Sequence, residues 1–462
     1  MRRSLWLQQA LALETEGDAP PLGEKLRTDV CIVGGGYTGL WTALRLKELE
    51  PAADVVLLES DICGGGPSGR NGGFALSWWP KIETLIAAVG HEEAFRLARA
   101  SEAAIAELGA FCEREGIDAD FVQGGWLWTA TSPAQAGSWE GAIRAAAAGG
   151  ATPFEVLSGE EVQERTGSPV HLAAAFEASG ARVQPAMLAR GLRRVALARG
   201  VRIFERSPMI ELRRGEGALA TPAGEVRAEA IVLATGAWLA KHREVRRAIV
   251  PLSSDMIASE PMDDRLAESG WTGGECVSNC RLMVHYYRTT ADGRIAFGRG
   301  GGRLAFDARI SAKFDHNERQ TRELRQELPW LVPAARGVPI TDAWGGPIDR
   351  TRDGLPFFGS FSGSGRIVYG AGFSGNGVAP SLTAAKILAS SALGRDDEWA
   401  GCGLNRGVAG RFPPEPIRFA GGLVVRSAVR RKESREDVGK RVDPLTRRIA
   451  ALAPSGFFRV AR

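Results

Sequence analysis

Thr28-Asp29-Val30-Cys31-Ile32-Val33-Gly34-Gly35-Gly36-Tyr37-Thr38-Gly39 is the stretch whose reading decides the fold. Residues 28–34 make a short apolar run that reads as a buried strand. The pattern G-x-G-x-x-G follows at once, and an apolar helix pattern over 40–49 comes next. Asp54-Val55-Val56-Leu57-Leu58-Glu59 is a second buried strand, ending in an acid 20 residues after Gly39. Strand, glycine turn, helix, strand and acid in this order form the phosphate-binding half of a dinucleotide fold. Gly34 permits the tight turn, Gly36 lets a pyrophosphate approach the backbone, and Gly39 lets the helix pack close to the strand. The helix begins at Tyr37 and Thr38, where its free N–H groups and dipole favour phosphate charge. Glu59, with Ser60 beside it, would accept hydrogen bonds from ribose hydroxyls and repel an additional phosphate.

A second small-residue loop decides which dinucleotide. Asp61-Ile62-Cys63-Gly64-Gly65-Gly66-Pro67-Ser68-Gly69-Arg70-Asn71-Gly72-Gly73 follows the acid. A nicotinamide domain needs no such loop there, whereas an extended flavin must lie against bare backbone. Ser68, Arg70, Asn71, Gly72 and Gly73 are therefore assigned to FAD. Further along, an apolar strand over 229–238 runs into Ala234-Thr235-Gly236, bringing backbone to the cofactor from another side. The last cluster starts at Trp344-Gly345-Gly346-Pro347 and continues through Gly372-Phe373-Ser374-Gly375-Asn376-Gly377-Val378 into a helix over 381–393. Gly346, Gly372, Gly375, Asn376, Gly377 and Val378 join the cofactor set. The positive end of that helix, opposite a flavin, would stabilise negative charge at N1 and C2=O of the reduced ring. That makes the ring an electron sink, which amine dehydrogenation requires.

The rest of the chain reads as an interruption of this domain. A long amphipathic helix is expected over 91–116 and a strand over 124–130. Ser158-Gly159-Glu160-Glu161 is a capping box, and Pro185 suits a first helical position. Residues 246–340 are strand-rich and read as a separate antiparallel sheet. Its marked segment is His285-Tyr286-Tyr287-Arg288, where alternation puts His285 and Tyr287 on one face and Tyr286 and Arg288 on the other; one pair would face a ligand. The division expected is an α/β fold: a discontinuous, Rossmann-like, glutathione-reductase-like FAD-binding domain from 28–75, 155–245 and 340–400. An antiparallel-sheet substrate domain from 76–154 and 246–339 is inserted in it, and 401–462 is a basic extension.

With 462 residues the chain is long enough for two or three domains. Its 44% hydrophobic and 24% charged residues exclude a disordered chain, and its 58 glycines follow no collagen period. The net charge of +4 is unevenly placed: residues 401–462 carry 14 Lys and Arg against 5 Asp and Glu, leaving the remainder at −5. Six scattered cysteines form no C-x-x-C pair and lack the histidine of a zinc site, so no metal is expected and a reducing compartment is. The first residues, Met1 to Ala10 with Glu14 and Glu16 beyond, lack the apolar run of a leader, and no apolar run approaches a membrane span. A cytoplasmic setting is expected.

Taken together, Gly34 to Gly39, Glu59, Ser68 to Gly73, Ala234 to Gly236 and Gly372 to Gly377 resemble FAD-dependent oxidoreductases of the D-amino-acid oxidase, glycine oxidase and sarcosine oxidase superfamily. Within it the chain resembles the gamma-glutamylputrescine oxidoreductase-like branch and, closer still, aminophosphonate oxidoreductases. The finer match rests on Ser4-Leu5-Trp6-Leu7, Ser254-Asp255-Met256, His285 to Arg288 and Arg411 to Arg418. The resemblance implies a neutral amine beside the flavin, transfer of its C–H hydrogen to N5 as a hydride equivalent, and hydrolysis of the released imine. It implies no obligatory side-chain base, so no catalytic residue is nominated. Some relatives attach FAD to a cysteine before the Asp-Gly-like turn or to an early histidine. Here 340–360 has no cysteine and the first histidine is His91, so FAD is expected to be non-covalent. Relatives also place a lysine over the flavin for oxygen activation, and the matching stretch 249–261 has none. The acceptor is left open between oxygen and a quinone or other electron carrier.

A phosphonate or carboxylate on the substrate calls for arginine. The candidates are Arg288, Arg299, Arg303 and Arg350, with His285 and Tyr287 orienting the amine and Trp78 or Trp79 walling the pocket. The preferred reading is oxidative deamination of a small primary or secondary amine, an aminophosphonate foremost. Alternatives are a gamma-glutamylputrescine-type amine or amino acid, a nucleotide-reduced hydroxylase, and a tRNA-modifying relative using the basic tail; nucleic acid is the less favoured partner. The segment 425–435 could lie on a membrane surface or pack on the FAD domain.

Overall fold

The computed structural model of the chain describes residues 3–15, 17–271, 273–361 and 366–454. Met1, Arg2 and Glu16 of the segment read for a leader, and 455–462 of the basic extension, lie outside the described residues.

Two eight-stranded sheets organise the molecule. In the first, strands Arg366–Ala371, Glu225–Leu233, Lys25–Val33, Val55–Leu58 and Arg202–Phe204 lie side by side and parallel. Phe357–Ser360 closes one edge antiparallel, and Glu211–Arg213 with Ala218–Ala220 forms an antiparallel flap on Glu225–Leu233. The central strands are buried on both faces, which is why they read as unbroken apolar runs. The helix Tyr37–Leu49 follows the first strand and packs, through Leu40, Trp41 and Leu44, among residues of the helix Pro380–Leu393 such as Leu382 and Leu388. The capping box at Ser158 and the start of the helix Pro185–Ala198 at Pro185 are present as read.

The second sheet runs, edge to edge, Ile340–Arg350, Val250–Ser259, Ile295–Arg299, His285–Thr289, Cys276–Asn279, Trp126–Ala130, Ala173–Glu177 and Glu155–Ser158. All its pairs are antiparallel except Cys276–Asn279 with Trp126–Ala130. This differs from the boundaries expected from sequence. Glu155–Ser158, Ala173–Glu177 and Ile340–Arg350 pair into the second sheet, although 155–245 and 340–400 read as cofactor domain. The reason is connectivity: Ile340–Arg350 zips along the full length of Val250–Ser259 and then carries the chain back to the first sheet. The helix Glu318–Leu331 covers one face of this sheet, with Leu324 and Leu328 on Ile257, Tyr287 and Phe297. The other face looks toward the first sheet.

The extension forms the helices Ile417–Glu436 and Pro444–Ala450. They dock on the second sheet rather than on the dinucleotide-type domain: Glu433 accepts the N–H of Leu282 at 2.7 Å, and Arg430 pairs with Glu323 at 2.6 Å. No helix among the described residues is long and apolar enough to cross a membrane.

Candidate active site

A cavity of about 430 Å³ lies between the sheets. Its floor is the first glycine turn. Gly34 sits at φ +117°, and a Cβ there would come within 2.5 Å of the carbonyl oxygen of Ala234. Close approach of two strand ends therefore demands glycine. The N–H of Gly34 donates to the carbonyl of Leu58 at 2.8 Å, and the N–H of Tyr37 to Ser68 Oγ at 2.9 Å. The second glycine loop is thus stitched to the first helix turn.

Glu59 stands at one end, its Oε2 accepting the N–H of Gly35 at 2.7 Å and its Oε1 the N–H of Asp61 and the hydroxyl of Ser60, both at 2.9 Å. Burial pushes its carboxyl above the usual range, and the backbone N–H groups of Asp61 and Gly35 work against that. Ser207, Pro208 and Met209 complete this end.

The far end is made by both sheets. Gly346 lies over Arg70, whose Nε donates to the carbonyl of Gly65 at 2.9 Å and whose guanidinium is 3.5 Å from Asp315. Asp349 accepts the N–H of Gly372 at 2.6 Å and of Ser374 at 3.3 Å, which fixes the last glycine loop. Burial raises its carboxyl, against those same hydrogen bonds. Arg350 reaches the wall as a buried cation, pushed down to about 10 by that burial. Tyr286 lines the wall, its hydroxyl 2.8 Å from Ser254 Oγ and its ring edge-on to Phe74. Burial pushes its phenol up, so it stays neutral.

Of the residues assigned to the cofactor from sequence, Gly34, Gly36, Tyr37, Thr38, Glu59 and Ser60 line the cavity, as do Ser68, Arg70, Asn71 and Gly72. So do Ala234, Thr235, Gly236, Gly346, Gly375, Gly377 and Val378. Four do not. Gly39 supports the wall from behind, since a Cβ there would fall on the carbonyl oxygen of Gly34. Gly73 is likewise held against the carbonyl of Val183, and Gly372 is turned to Asp349. Asn376 donates to the carbonyl of Ser77 at 3.0 Å.

The substrate candidates fare differently, and only Arg350 lies on the cavity. Trp78 and Trp79 are buried in the core beneath the helix His91–Arg114. Of the two faces around residue 286, the one that meets the cavity carries Tyr286 and Arg288. Arg288 itself is drawn away to the carbonyls of Gly72 at 2.8 Å and Val183 at 2.7 Å. His285 and Tyr287 point the other way: His285 Nε2 faces Glu327 at 3.2 Å and Tyr287 faces His171 Nε2 at 2.5 Å. Arg299 is held by Glu323, Glu327 and Gln320. Arg303 lines no part of the cavity. Missed from sequence were Tyr286, Ser254, Ser278, Asp349 and Lys241, all on the wall. Only Tyr286 carried a signal, the alternation that placed it opposite His285.

The residues present fit FAD. The glycine floor meets a helix N-terminus, the acid and ribose-sized end lies to one side, and the two-sheet end lies to the other. The sequence matches the family described as "DAO: FAD dependent oxidoreductase" over residues 29–391. The chain belongs to this family. It is 29% identical over 372 residues to gamma-glutamylputrescine oxidoreductase of Escherichia coli, spanning 80% of this chain and 84% of that one. It is 26% identical over 387 residues to glycine oxidase of Bacillus licheniformis, spanning 81% and 95%. The crystal structure of glycine oxidase from Geobacillus kaustophilus superposes with a TM-score of 0.65 at 22% identity, over 83% of this chain and all of that one. The DAO-family chain is thus an FAD-dependent oxidoreductase of amine or amino-acid CH–NH donors, with the mixed α/β fold of the glycine oxidase structures.

Proposed function

We propose that this DAO-family enzyme oxidatively deaminates a small amine bearing an anionic group, which binds at the Arg350, Tyr286 and Ser254 end of the cavity. The observation that carries the reading is Arg350, a cation brought to the wall where the two sheets meet. In that low-dielectric setting an anion gains more from a guanidinium than it would in water. An aminophosphonate is the preferred substrate. A gamma-glutamylputrescine-type amine is the second, favoured by the E. coli relative of that name.

FAD, when bound, supplies the two-electron acceptor for the hydrogen on the nitrogen-bearing carbon. Gly34, Gly36 and the first turn at Tyr37 and Thr38 would hold its phosphates, and Glu59 with Ser60 its ribose. Arg70, Gly346 and the loop Gly375 to Val378 would border its ring. No cysteine lies among the described residues of the wall, and the ring of His242, which does, packs 5.3 Å from Phe361; both favour a non-covalent cofactor. Tyr286, neutral and tied to Ser254, can orient the amine but is poorly suited to remove a proton. Asp349 is satisfied by backbone N–H groups. The family resemblance implies an amine that arrives already neutral. The six cysteines, all free and buried, favour a cytoplasmic setting. The electron acceptor would be oxygen or a quinone-type carrier.

The test is an anaerobic titration of the holoenzyme with 2-aminoethylphosphonate, then with gamma-glutamylputrescine, following the visible flavin band. Bleaching by the first establishes the preferred substrate. Bleaching by the second alone transfers the assignment to the alternative. A band unmoved by either removes both.

A further inference from the structure

The two helices of the extension are tied to the second sheet along their inner side. Glu433 accepts the N–H groups of Leu282 and Met283, Asp437 pairs with Arg281 at 2.6 Å, and Met283, Ala428, Val429 and Ala450 form a small apolar core. The other carboxylates of the extension are engaged within it. Glu415 holds Arg418 at 2.7 Å, and Glu436 holds Lys432 at 2.9 Å. Asp443 caps the second helix on the N–H of Thr446 and lies 3.7 Å from Arg431. The outward side keeps the cations. Lys440, Arg441, Arg447 and Arg448 are exposed, and none forms an ion pair with a carboxylate among the described residues.

Aliphatic side chains stand between these cations. Leu445 is 68% exposed and Leu452 is 74% exposed. Leu445 and Arg448 stand three residues apart on the helix Pro444–Ala450, with Arg441 just before that helix and Leu452 just after it. On the longer helix Ile417, Val424 and Leu423 are exposed as well, and the Arg431–Asp443 contact joins the two surfaces.

We propose that this face docks on an anionic lipid bilayer. Cations interleaved with exposed aliphatic residues match an interface that offers negative headgroups above an acyl layer. A polynucleotide offers the charge but gives Leu445 and Leu452 nothing to enter. The imbalance between +9 in the extension and −5 elsewhere would also turn this side toward a negative surface during approach.

The test is flotation of the holoenzyme with vesicles of phosphatidylcholine alone or mixed with phosphatidylglycerol. The protein is expected to float only with the mixed vesicles and to be released by salt, since exposed charges are screened over about 10 Å at 0.1 M. Arg441→Glu, Arg447→Glu and Arg448→Glu combined should weaken binding by about tenfold or more. Leu445→Ser with Leu452→Ser should weaken it at every salt concentration. Both variants should keep the flavin band and turnover of the parent. The proposal is overturned if the parent does not float, if the charge variant floats equally well, or if an RNA oligonucleotide strips the parent from vesicles while the leucine variant binds as the parent does.

Discussion

The two walls of the cavity are built on different principles. The wall from the first sheet is backbone: glycines, N–H groups and a helix end, stitched together by contacts of main-chain groups such as Gly34 on Leu58 and Ala234 and Tyr37 on Ser68. The wall from the second sheet is side chains whose partners lie far off in sequence. On the wall Tyr286 meets Ser254 32 residues back, and on the face behind it His285 meets Glu327 42 residues on and Tyr287 meets His171 116 residues back. A wall of backbone tolerates no added atom, whereas a wall of side chains tolerates exchange if the partner network survives.

The largest expected effect comes from adding one carbon to the backbone wall. In Gly39→Ala the new Cβ falls on the carbonyl oxygen of Gly34, and Ile32 Cγ2 is only 3.3 Å away. Helix and strand would have to separate, at a cost of about 3 kcal/mol or more. The purified protein should lack the visible flavin band and melt well below the parent. A variant that retains both would show that the first turn is more yielding than its geometry says.

Next come two arginines of the second sheet. Arg299 is buried and held by Glu323, Glu327 and Gln320. Arg299→Met leaves those partners without their cation and should cost about 3 kcal/mol of stability, read by denaturant unfolding, with KM little changed. Arg350→Met should show itself in substrate binding. Loss of a charged hydrogen bond to substrate is worth about 2 kcal/mol, a rise in KM on the order of thirtyfold, with the flavin band retained. Equal KM effects from both would erase the distinction between a structural and a substrate-facing guanidinium.

This contrast also explains what could be read in the sequence. The G-x-G-x-x-G turn, Glu59 and the later glycine loops are legible because backbone contacts impose glycine at fixed places. Gly39 was legible as the point where helix and strand pack closely, whereas Gly73 and Gly372 were legible as necessary but not as supports behind the wall, since spacing does not say which side of a turn faces a ligand. For the second sheet, alternation separated Tyr286 from His285 and Tyr287 correctly. Which face was wet depended on the helix Glu318–Leu331 covering the other one. Arg288 shared the cavity-side face but was captured by the carbonyls of Gly72 and Val183, more than 100 residues earlier. The domain boundaries moved for a related reason: pairing of Ile340–Arg350 with Val250–Ser259 is a long-range choice that local pattern does not encode.

The side-chain network should also show itself in pH dependence. Burial pushes His285 down to about 4, with Arg281 adding to this and Glu327 opposing. Between an ordinary imidazole value of about 6.5 and the folded value, the unfolded chain binds the extra proton. Stability is therefore complete above that window and falls as pH drops through it. His171, pushed down to about 3 by burial, has the same sign. Asp255, pushed up to about 6, has the opposite one, so the difference between variant and parent is the quantity to measure. His285→Gln should remove about 1–2 kcal/mol of the acid-side loss, seen as a flatter melting profile below pH 6.5. An unchanged slope would mean that this imidazole is already protonated in the fold.

The smallest effect is expected where the side-chain wall meets the substrate. Tyr286 lies between Gly72 and Gly298, where a Cβ at either would touch its ring, so its position is set by the backbone even though its hydroxyl is free to be exchanged. Tyr286→Phe keeps the ring and the edge-on contact with Phe74 and removes only the bond to Ser254. A neutral hydrogen bond of this kind is worth about 1 kcal/mol, so kcat/KM should fall by roughly fivefold, with the flavin band and melting temperature close to the parent. The pH profile should keep its shape, because the phenol does not titrate in the working range. A loss of several hundredfold, or a new pH dependence, would make Tyr286 a proton-transfer group and would put side-chain chemistry, not orientation alone, on the wall built by the second sheet.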